Sequence, residues 1–262
     1  MRILLTNDDG IYAIGLIELS KRISNLGDVQ IVAPERSRSA IGHAITLHKP
    51  LRMDPHYHTS YSIPAYASNG TPADCVMLGY YELFDNQVDL VISGINSGPN
   101  MGDDITYSGT VSAAMEASVI GIPSIAISMG SFDSTHFEDA ARFVAELAKS
   151  ILEMDVPRKT LLNVNYPDLP LEKVKAVRLT RLGYRWYTDV VTKRDDPRGN
   201  PYFWICGEKQ YSDNPVGTDC RAIEDGEISI TPLTMDLTCY KDIEGFSKLE
   251  KNLSAAFGFG VK

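Results

Sequence analysis

Arg2-Ile3-Leu4-Leu5-Thr6, running straight into Asn7-Asp8-Asp9-Gly10, is the stretch that decides the fold class. Its apolar run is too short for a helix and suits a strand buried on both faces. Leu16, Leu19, Ile23 and Leu26 then recur at helical spacing, with Gly27 placed for a left-handed C-terminal cap. Val29-Gln30-Ile31-Val32-Ala33 reads as a second strand stopped by Pro34. Strand, helix and strand in this order make a βαβ opening, which implies parallel strands and a right-handed crossover.

The alternation continues downstream. Strand-like pieces are expected around Leu51 and Tyr61–Tyr66, followed by a helix opened by Thr71-Pro72-Ala73-Asp74. There Thr caps, Pro fits the first turn and Asp74 completes a capping box. Val88–Ser93 is a buried strand, Ser108–Ile120 a helix of small residues ended by Gly121, and Ile122–Ser128 a strand. Phe137, Ala140, Val144, Leu147 and Ile151 mark an amphipathic helix, and Leu161–Tyr166 and Val174–Leu179 are further strands. The predicted fold class is α/β: a Rossmann-like, doubly wound, mostly parallel sheet.

From Gly183 to Thr218 the periodicity fades into Pro, Gly, Asp and aromatic residues, among them Trp186, Tyr187, Tyr202, Phe203 and Trp204. Ile228 and Ile230 restore a strand, and Phe246, Leu249, Leu253 and Ala256 a last helix. The organisation read from this is a catalytic core over residues 1–182 and a C-terminal extension over 183–262.

Composition narrows the function. The chain has 262 residues, enough for a sizeable core, and 44% hydrophobic against 23% charged residues is an ordinary globular balance. No apolar run approaches the roughly 18–20 residues that span a bilayer, and Asn7-Asp8-Asp9 cuts short any signal-peptide core, so a cytoplasmic protein without membrane contact is expected. Cys75, Cys206, Cys220 and Cys239 lack zinc spacing and read as reduced thiols. His48, His56 and His58 lie close together without repeating at ligand spacing. A net charge of −9 argues against binding a nucleic-acid polymer, while leaving room for a compact phosphorylated ligand at a local site.

In parallel α/β sheets ligands bind beyond the carboxyl ends of the strands. Three polar clusters fall there: Asn7-Asp8-Asp9-Gly10, the loop with Arg36, Ser37, Arg38 and Ser39, and Gly94-Ile95-Asn96-Ser97-Gly98-Pro99-Asn100. Adjacent carboxylates are costly unless a cation neutralises them, although either aspartate could simply cap the helix that follows. Asp8, Asp9, Ser39 and Asn96 together form an all-oxygen set suited to Mg²⁺ or Mn²⁺. Ser108-Gly109-Thr110 at a helix start suits an anion, or is a plain Ser cap. Asp103 and Asp104 read as a solvated loop pair, and nothing assigns His43 a role.

The motifs themselves resemble the SurE survival-protein family of metal-dependent 5′/3′-nucleotidases. The resemblance rests on Met1–Gly10, Val32-Ala33-Pro34-Glu35-Arg36 leading to Ser39, Ser93–Asn100 and Tyr107-Ser108-Gly109-Thr110-Val111. It continues through Asn69-Gly70-Thr71-Pro72-Ala73-Asp74-Cys75, Asp196-Pro197-Arg198-Gly199, Gly217-Thr218-Asp219 and Ser229-Ile230-Thr231-Pro232-Leu233. It implies one divalent metal ion per subunit, held by Asp8, Asp9, Ser39 and Asn96, with Asp8 and Asp9 catalytic. It also implies phosphate contacts from Asn96, Ser108, Gly109 and Thr110. The implied substrates are 5′- and 3′-nucleoside monophosphates, with short polyphosphate for some members, and the implied assembly is a homodimer or homotetramer exchanging C-terminal arms.

Two other readings stand beside this one. A metal-dependent nuclease also gathers carboxylates at strand ends, but calls for a basic groove. A nucleotide-binding regulator without turnover has no need of paired aspartates, and neither GxGxxG nor GxxxxGK[ST] occurs. The adjacency of Asp8 and Asp9 also departs from a DxDx[TV] signature, and whether water or an aspartate attacks phosphorus stays open.

Overall fold

A computed structural model describes residues 1–57, 60–188, 191–205, 208–210 and 214–259; His58 and Cys206 lie outside them. In chain order the strands and helices are β1 (Arg2–Thr6), α1 (Ile14–Ile23), β2 (Asp28–Pro34), β3 (Met53–Pro55), β4 (Ala65–Ser68) and α2 (Pro72–Leu78). Next come β5 (Leu90–Asn96), α3 (Gly109–Ile120), β6 (Ser124–Met129), α4 (Phe137–Glu153), β7 (Leu161–Tyr166) and β8 (Val177–Leu179). The rest are β9 (Trp186–Thr188), β10 (Val191–Asp195), β11 (Pro201–Ile205), β12 (Glu208–Gln210), α5 (Asp219–Glu224), β13 (Ile228–Leu233), α6 (Tyr240–Ile243) and α7 (Ser247–Phe257).

Nine strands form the main sheet in the order β3-β4-β2-β1-β5-β6-β7-β13-β8. Its centre, from β4 through β7, is parallel throughout, and β3 and β13 are antiparallel to their neighbours β4 and β7. This is the expected α/β sheet, with its direction of winding reversing beside β1. The chain leaves β1 for β2 on one side and returns to β5 on the other. A crevice opens where such connections diverge, and here it opens at the carboxyl ends of β1 and β5.

The sheet is apolar on both faces because helices cover both. Leu16, Leu19 and Ile23 of α1 and Ala140, Val144 and Ile151 of α4 pack with Ile3, Leu5, Ile92 and Ile127. Against the other face, Val76 of α2 and Ala113 and Ala117 of α3 pack with Leu4, Val32 and Val91. Transfer free energy near 25 cal/mol per Å² of apolar surface makes these two layers the main favourable contribution to the fold.

The capping box is present as read: Thr71 Oγ1 accepts from Asp74 N at 3.0 Å, and Asp74 Oδ2 from Thr71 N at 2.8 Å. Gly121 ends α3 in the left-handed region. Gly27 differs. It is no left-handed cap; a side chain there would sit 2.2 Å from the Met1 carbonyl oxygen, so glycine is required by the close approach of β1.

The stretch whose periodicity faded is also more ordered than a loop. β10 pairs with β11 and β9 with β12, both antiparallel, as the two ladders of an arm. Asp196 closes its turn by accepting from the N–H groups of Arg198 and Asn200 at 2.8 and 2.9 Å. Phe203, Trp204 and Ile205 are exposed on it, so no buried face imposes alternation on the sequence. Among the described residues no helix is long and apolar enough to cross a membrane.

Candidate active site

The turn after β1 is shaped by its own side chains. Asn7 Nδ2 donates to the Gly10 carbonyl at 2.9 Å and its Oδ1 accepts from Gly10 N at 3.2 Å. Gly10 has φ +98°, and a Cβ there would lie 3.1 Å from the Arg36 backbone. The second loop therefore rides closely on the first. Arg38 N–H donates to the Asp8 carbonyl at 2.8 Å and Gly42 N–H to the Tyr107 carbonyl at 3.0 Å, so the Ser39 segment is pinned between β1 and the start of α3.

One cleft gathers the expected set. Asp8, Asp9, Ser39, Asn96 and Ser108 all line it, together with Asp104, Tyr107, Phe132 and Arg185. Its volume is about 200 Å³. That is room for a partly hydrated cation and a phosphoryl group. A larger groove between α1 and α4 is lined by Lys21, Arg22, Arg142 and Lys149. Each of those cations already pairs with an acidic neighbour, so the groove holds no convergent site.

Asp8 is buried, and Thr110 donates its side-chain hydroxyl to Asp8 Oδ1. Burial pushes its carboxyl up to about 6, with a further rise from the Asp9 charge and an opposing contribution from the Thr110 hydroxyl. Asp9 is also held above the usual carboxylate range by burial, against the opposing effect of Ser97 N–H, which donates to its Oδ2 at 3.1 Å. Two desolvated adjacent acids are what a bound cation would relieve.

Asn96 Nδ2 donates to the Gly98 carbonyl at 2.8 Å, which leaves its amide oxygen to a ligand. Ser39 and Ser37 hydroxyls lie 2.9 Å apart. Carboxylate, amide and hydroxyl oxygens without imidazole or thiolate fit a hard divalent cation. Among the described residues no cluster of three His, Cys, Asp or Glu side chains competes with this set.

The residues assigned to phosphate are placed unequally. Ser108 caps α3, accepting from Val111 N at 3.1 Å, and lines the cleft. Gly109 lies behind it: a Cβ there would be 2.7 Å from Asp8 Cβ. Thr110 is fully buried and turned toward Asp8. His43 is not in the cleft; its Nε2 lies 2.8 Å from Glu116 Oε2. Asp104 corrects the reading of a solvated pair, since it lines the cleft and its Oδ2 is 2.7 Å from Arg185 Nη1.

This geometry can be compared with known proteins. The family profile described as Survival protein SurE matches residues 3–189. The chain belongs to the SurE family. A relative from Carboxydothermus hydrogenoformans named 5′-nucleotidase SurE is 48% identical over 99% of this chain and 100% of its own. One of the same name from Geobacter metallireducens is 49% identical over 93% and 95%. The crystal structure of SurE protein from Aquifex aeolicus is 42% identical and superposes with a TM-score of 0.82, covering 95% of this chain and 100% of that one.

Sequence reasoning missed one support of the cleft. Asn100 is pinned from below by β6 and β7: its N–H donates to Asn165 Oδ1 at 2.9 Å and its Nδ2 to Ser128 Oγ at 2.7 Å. Its carbonyl accepts from Asn163 Nδ2 and Asn165 Nδ2 at 2.8 and 2.9 Å. The available signal was Asn163 and Asn165 on one face of a strand otherwise apolar. A buried polar pair there needs a partner, and the site loop is that partner.

Proposed function

We propose that this chain is a divalent-metal-dependent phosphomonoesterase that hydrolyses 5′- and 3′-nucleoside monophosphates, and short polyphosphate, to release phosphate. The observation that carries the proposal is the meeting of Asp8, Asp9, Ser39 and Asn96 beside the N-terminus of α3 in one cleft. The names of the relatives add support for a nucleotidase.

Asp8, Asp9, Ser39 and Asn96 would hold one Mg²⁺ or Mn²⁺ per subunit. When bound, the cation supplies Lewis-acid polarisation of the ester and offsets charge on the leaving oxygen. Thr110 orients Asp8, and Ser97 orients Asp9, so neither carboxylate rotates during the reaction. Ser108 and the first turn of α3 receive the phosphoryl oxygens as their charge redistributes. The aspartate pair supplies the acceptor for the proton of an attacking water.

With the phosphate beside Asp8, Asp9 and Ser108, the nucleoside extends toward the open rim of the cleft. Phe132 and Tyr107 are 70% and 68% exposed there, and flat aromatic surfaces of this kind stack any base. That supports action on several mononucleotides and against strict base selection. The exposed apolar arm supports assembly into a homodimer or homotetramer through the C-terminal segment.

The test is phosphate release from matched concentrations of 5′- and 3′-mononucleotides, tripolyphosphate and a single-stranded oligonucleotide, each with Mg²⁺ or Mn²⁺. Preference for the mononucleotides supports the reading. Preferential cleavage of the oligonucleotide would favour the nuclease, and tight binding without release a regulator.

A further inference from the structure

We infer that Arg185, at the root of the C-terminal arm, is a substrate-binding residue that completes the phosphate site from outside the βα loops. This deepens the proposed function and rests on it. Arg185 lines the same cleft as Asp8, Asp9 and Asn96, and it is the cationic side chain among the residues that do. Its side chain is only 6% exposed, which is unusual for arginine without a partner or a ligand of opposite charge.

Its position is built rather than incidental. Nη1 lies 2.7 Å from Asp104 Oδ2 and donates to the Pro99 carbonyl at 3.4 Å, so the guanidinium is tied to the loop that carries Asn96. Those ties need the arm and that loop to be held together, and one carboxylate does so. Asp219, fully buried, accepts from Gly102 N at 2.9 Å through Oδ2 and from Gly183 N at 2.7 Å through Oδ1. Gly102 begins the turn that carries Asp104, and Gly183 stands two residues before Arg185. Gly102 has φ +54°, and any side chain there would lie 2.7 Å from the Gly183 carbonyl oxygen. Tyr184 N–H is held in turn by Asn214 Oδ1 at 2.9 Å. The Gly217-Thr218-Asp219 motif thus has a purpose in the cleft although none of Gly217, Thr218 or Asp219 lines it.

The charge pattern says what Arg185 binds. Asp8 and Asp9 are matched by the cation they would hold, and Asp104 by Arg185. A phosphate dianion entering the cleft would otherwise face Asp104 with nothing to offset it. A guanidinium offers several coplanar donors, a fork that fits two phosphoryl oxygens.

The experiment measures binding of inorganic phosphate by calorimetry with Mg²⁺ present, alongside KM and kcat for adenosine 5′-monophosphate. The proteins are wild type, Arg185→Met, Arg185→Lys and Asp104→Asn. Arg185→Met is expected to weaken phosphate binding and raise KM by about ten-fold or more, with a smaller change in kcat. Arg185→Lys keeps the charge and loses the fork, so it recovers part of the binding. Asp104→Asn lowers stability but binds phosphate at least as well as wild type, because a competing anion is gone. A merely structural clasp predicts the opposite, with Asp104→Asn and Arg185→Met equally impaired. Phosphate affinity within two-fold of wild type in folded Arg185→Met overturns the assignment. Should that variant not fold, Arg185→Lys with wild-type affinity does so. Phosphate binding that depends on Arg185 in a protein with no turnover would sink the nucleotidase reading and leave this one standing.

Discussion

Thr110 donates its hydroxyl to Asp8 Oδ1 across a sequence separation of 102 residues, joining the start of α3 to the end of β1 inside a buried environment. The contact fixes one oxygen of a carboxylate whose other duties lie in the cleft. Thr110→Val keeps the shape and removes the donor. We expect it to lower stability at pH 8 by about 1–3 kcal/mol and to reduce turnover at least about ten-fold. Denaturant midpoints and initial rates check both, and unchanged values would remove Thr110 from the account.

Asp9→Asn separates fold from chemistry. The amide still accepts from Ser97 N–H, so the loop stays in place, but a charge needed for the cation is lost. Turnover should fall at least about a hundred-fold while the thermal transition is retained. A folded Asp9→Asn protein with normal rates in Mg²⁺ or Mn²⁺ would contradict the role given to Asp9.

The raised pKa of Asp8 makes a signed statement about metal-free protein. Its folded value, about 6, lies above the ordinary 3.8, so the folded state binds the proton more tightly than the unfolded chain. The resulting destabilisation is absent below pH 3.8, grows between there and 6, and is complete above, where two units correspond to about 3 kcal/mol. In chelator, wild type should therefore gain stability relative to Asp8→Asn as pH drops from 7.5 to 5. Parallel stability curves for the two proteins would show that Asp8 carries no such burden.

Gly109→Ala tests how closely α3 abuts the aspartates. The added methyl would sit 2.7 Å from Asp8 Cβ and 2.9 Å from Asp8 Oδ2, so one of them must move. The expected outcome is a folded protein with turnover reduced at least about ten-fold, since small displacements of catalytic groups are costly to rate.

Asn165→Ala addresses the support beneath the cleft. It deletes both bonds to Asn100 and leaves buried backbone groups without that partner. Stability should fall by about 1–3 kcal/mol, with kcat/KM falling as the Asn96–Asn100 loop loosens. A stability loss with kinetics unchanged would show that the loop does not need this anchor.

Much of this was legible in the chain. The βαβ opening, the capping box at Thr71 and the glycine stop at Gly121 are local signals, and local signals survive into the structure. The three polar clusters could be brought to one rim because strand ends in a parallel sheet share a side. What could not be read depends on contacts distant in sequence. Gly27 looks like a cap until Met1 is seen against it. Arg185 and Asp104 say nothing alone, and it is Asp219 that bridges the backbones of Gly102 and Gly183 beside them. The resemblance implies a phosphate contact for Thr110, and no local pattern shows that its hydroxyl also donates to Asp8. The arm lacks a periodic signature because a strand such as β11, exposed on both faces, imposes none.

The central claim is that oxygen atoms from three separate loops create one cation site beside an anion-receiving helix start. Anomalous diffraction from crystals soaked with Mn²⁺ and adenosine 5′-monophosphate tests it most directly. The account predicts a single strong manganese peak contacted by Asp8, Asp9, Ser39 and Asn96, with the phosphate between it and Ser108. Manganese bound elsewhere, or a nucleotide phosphate lying outside this cleft, would contradict it.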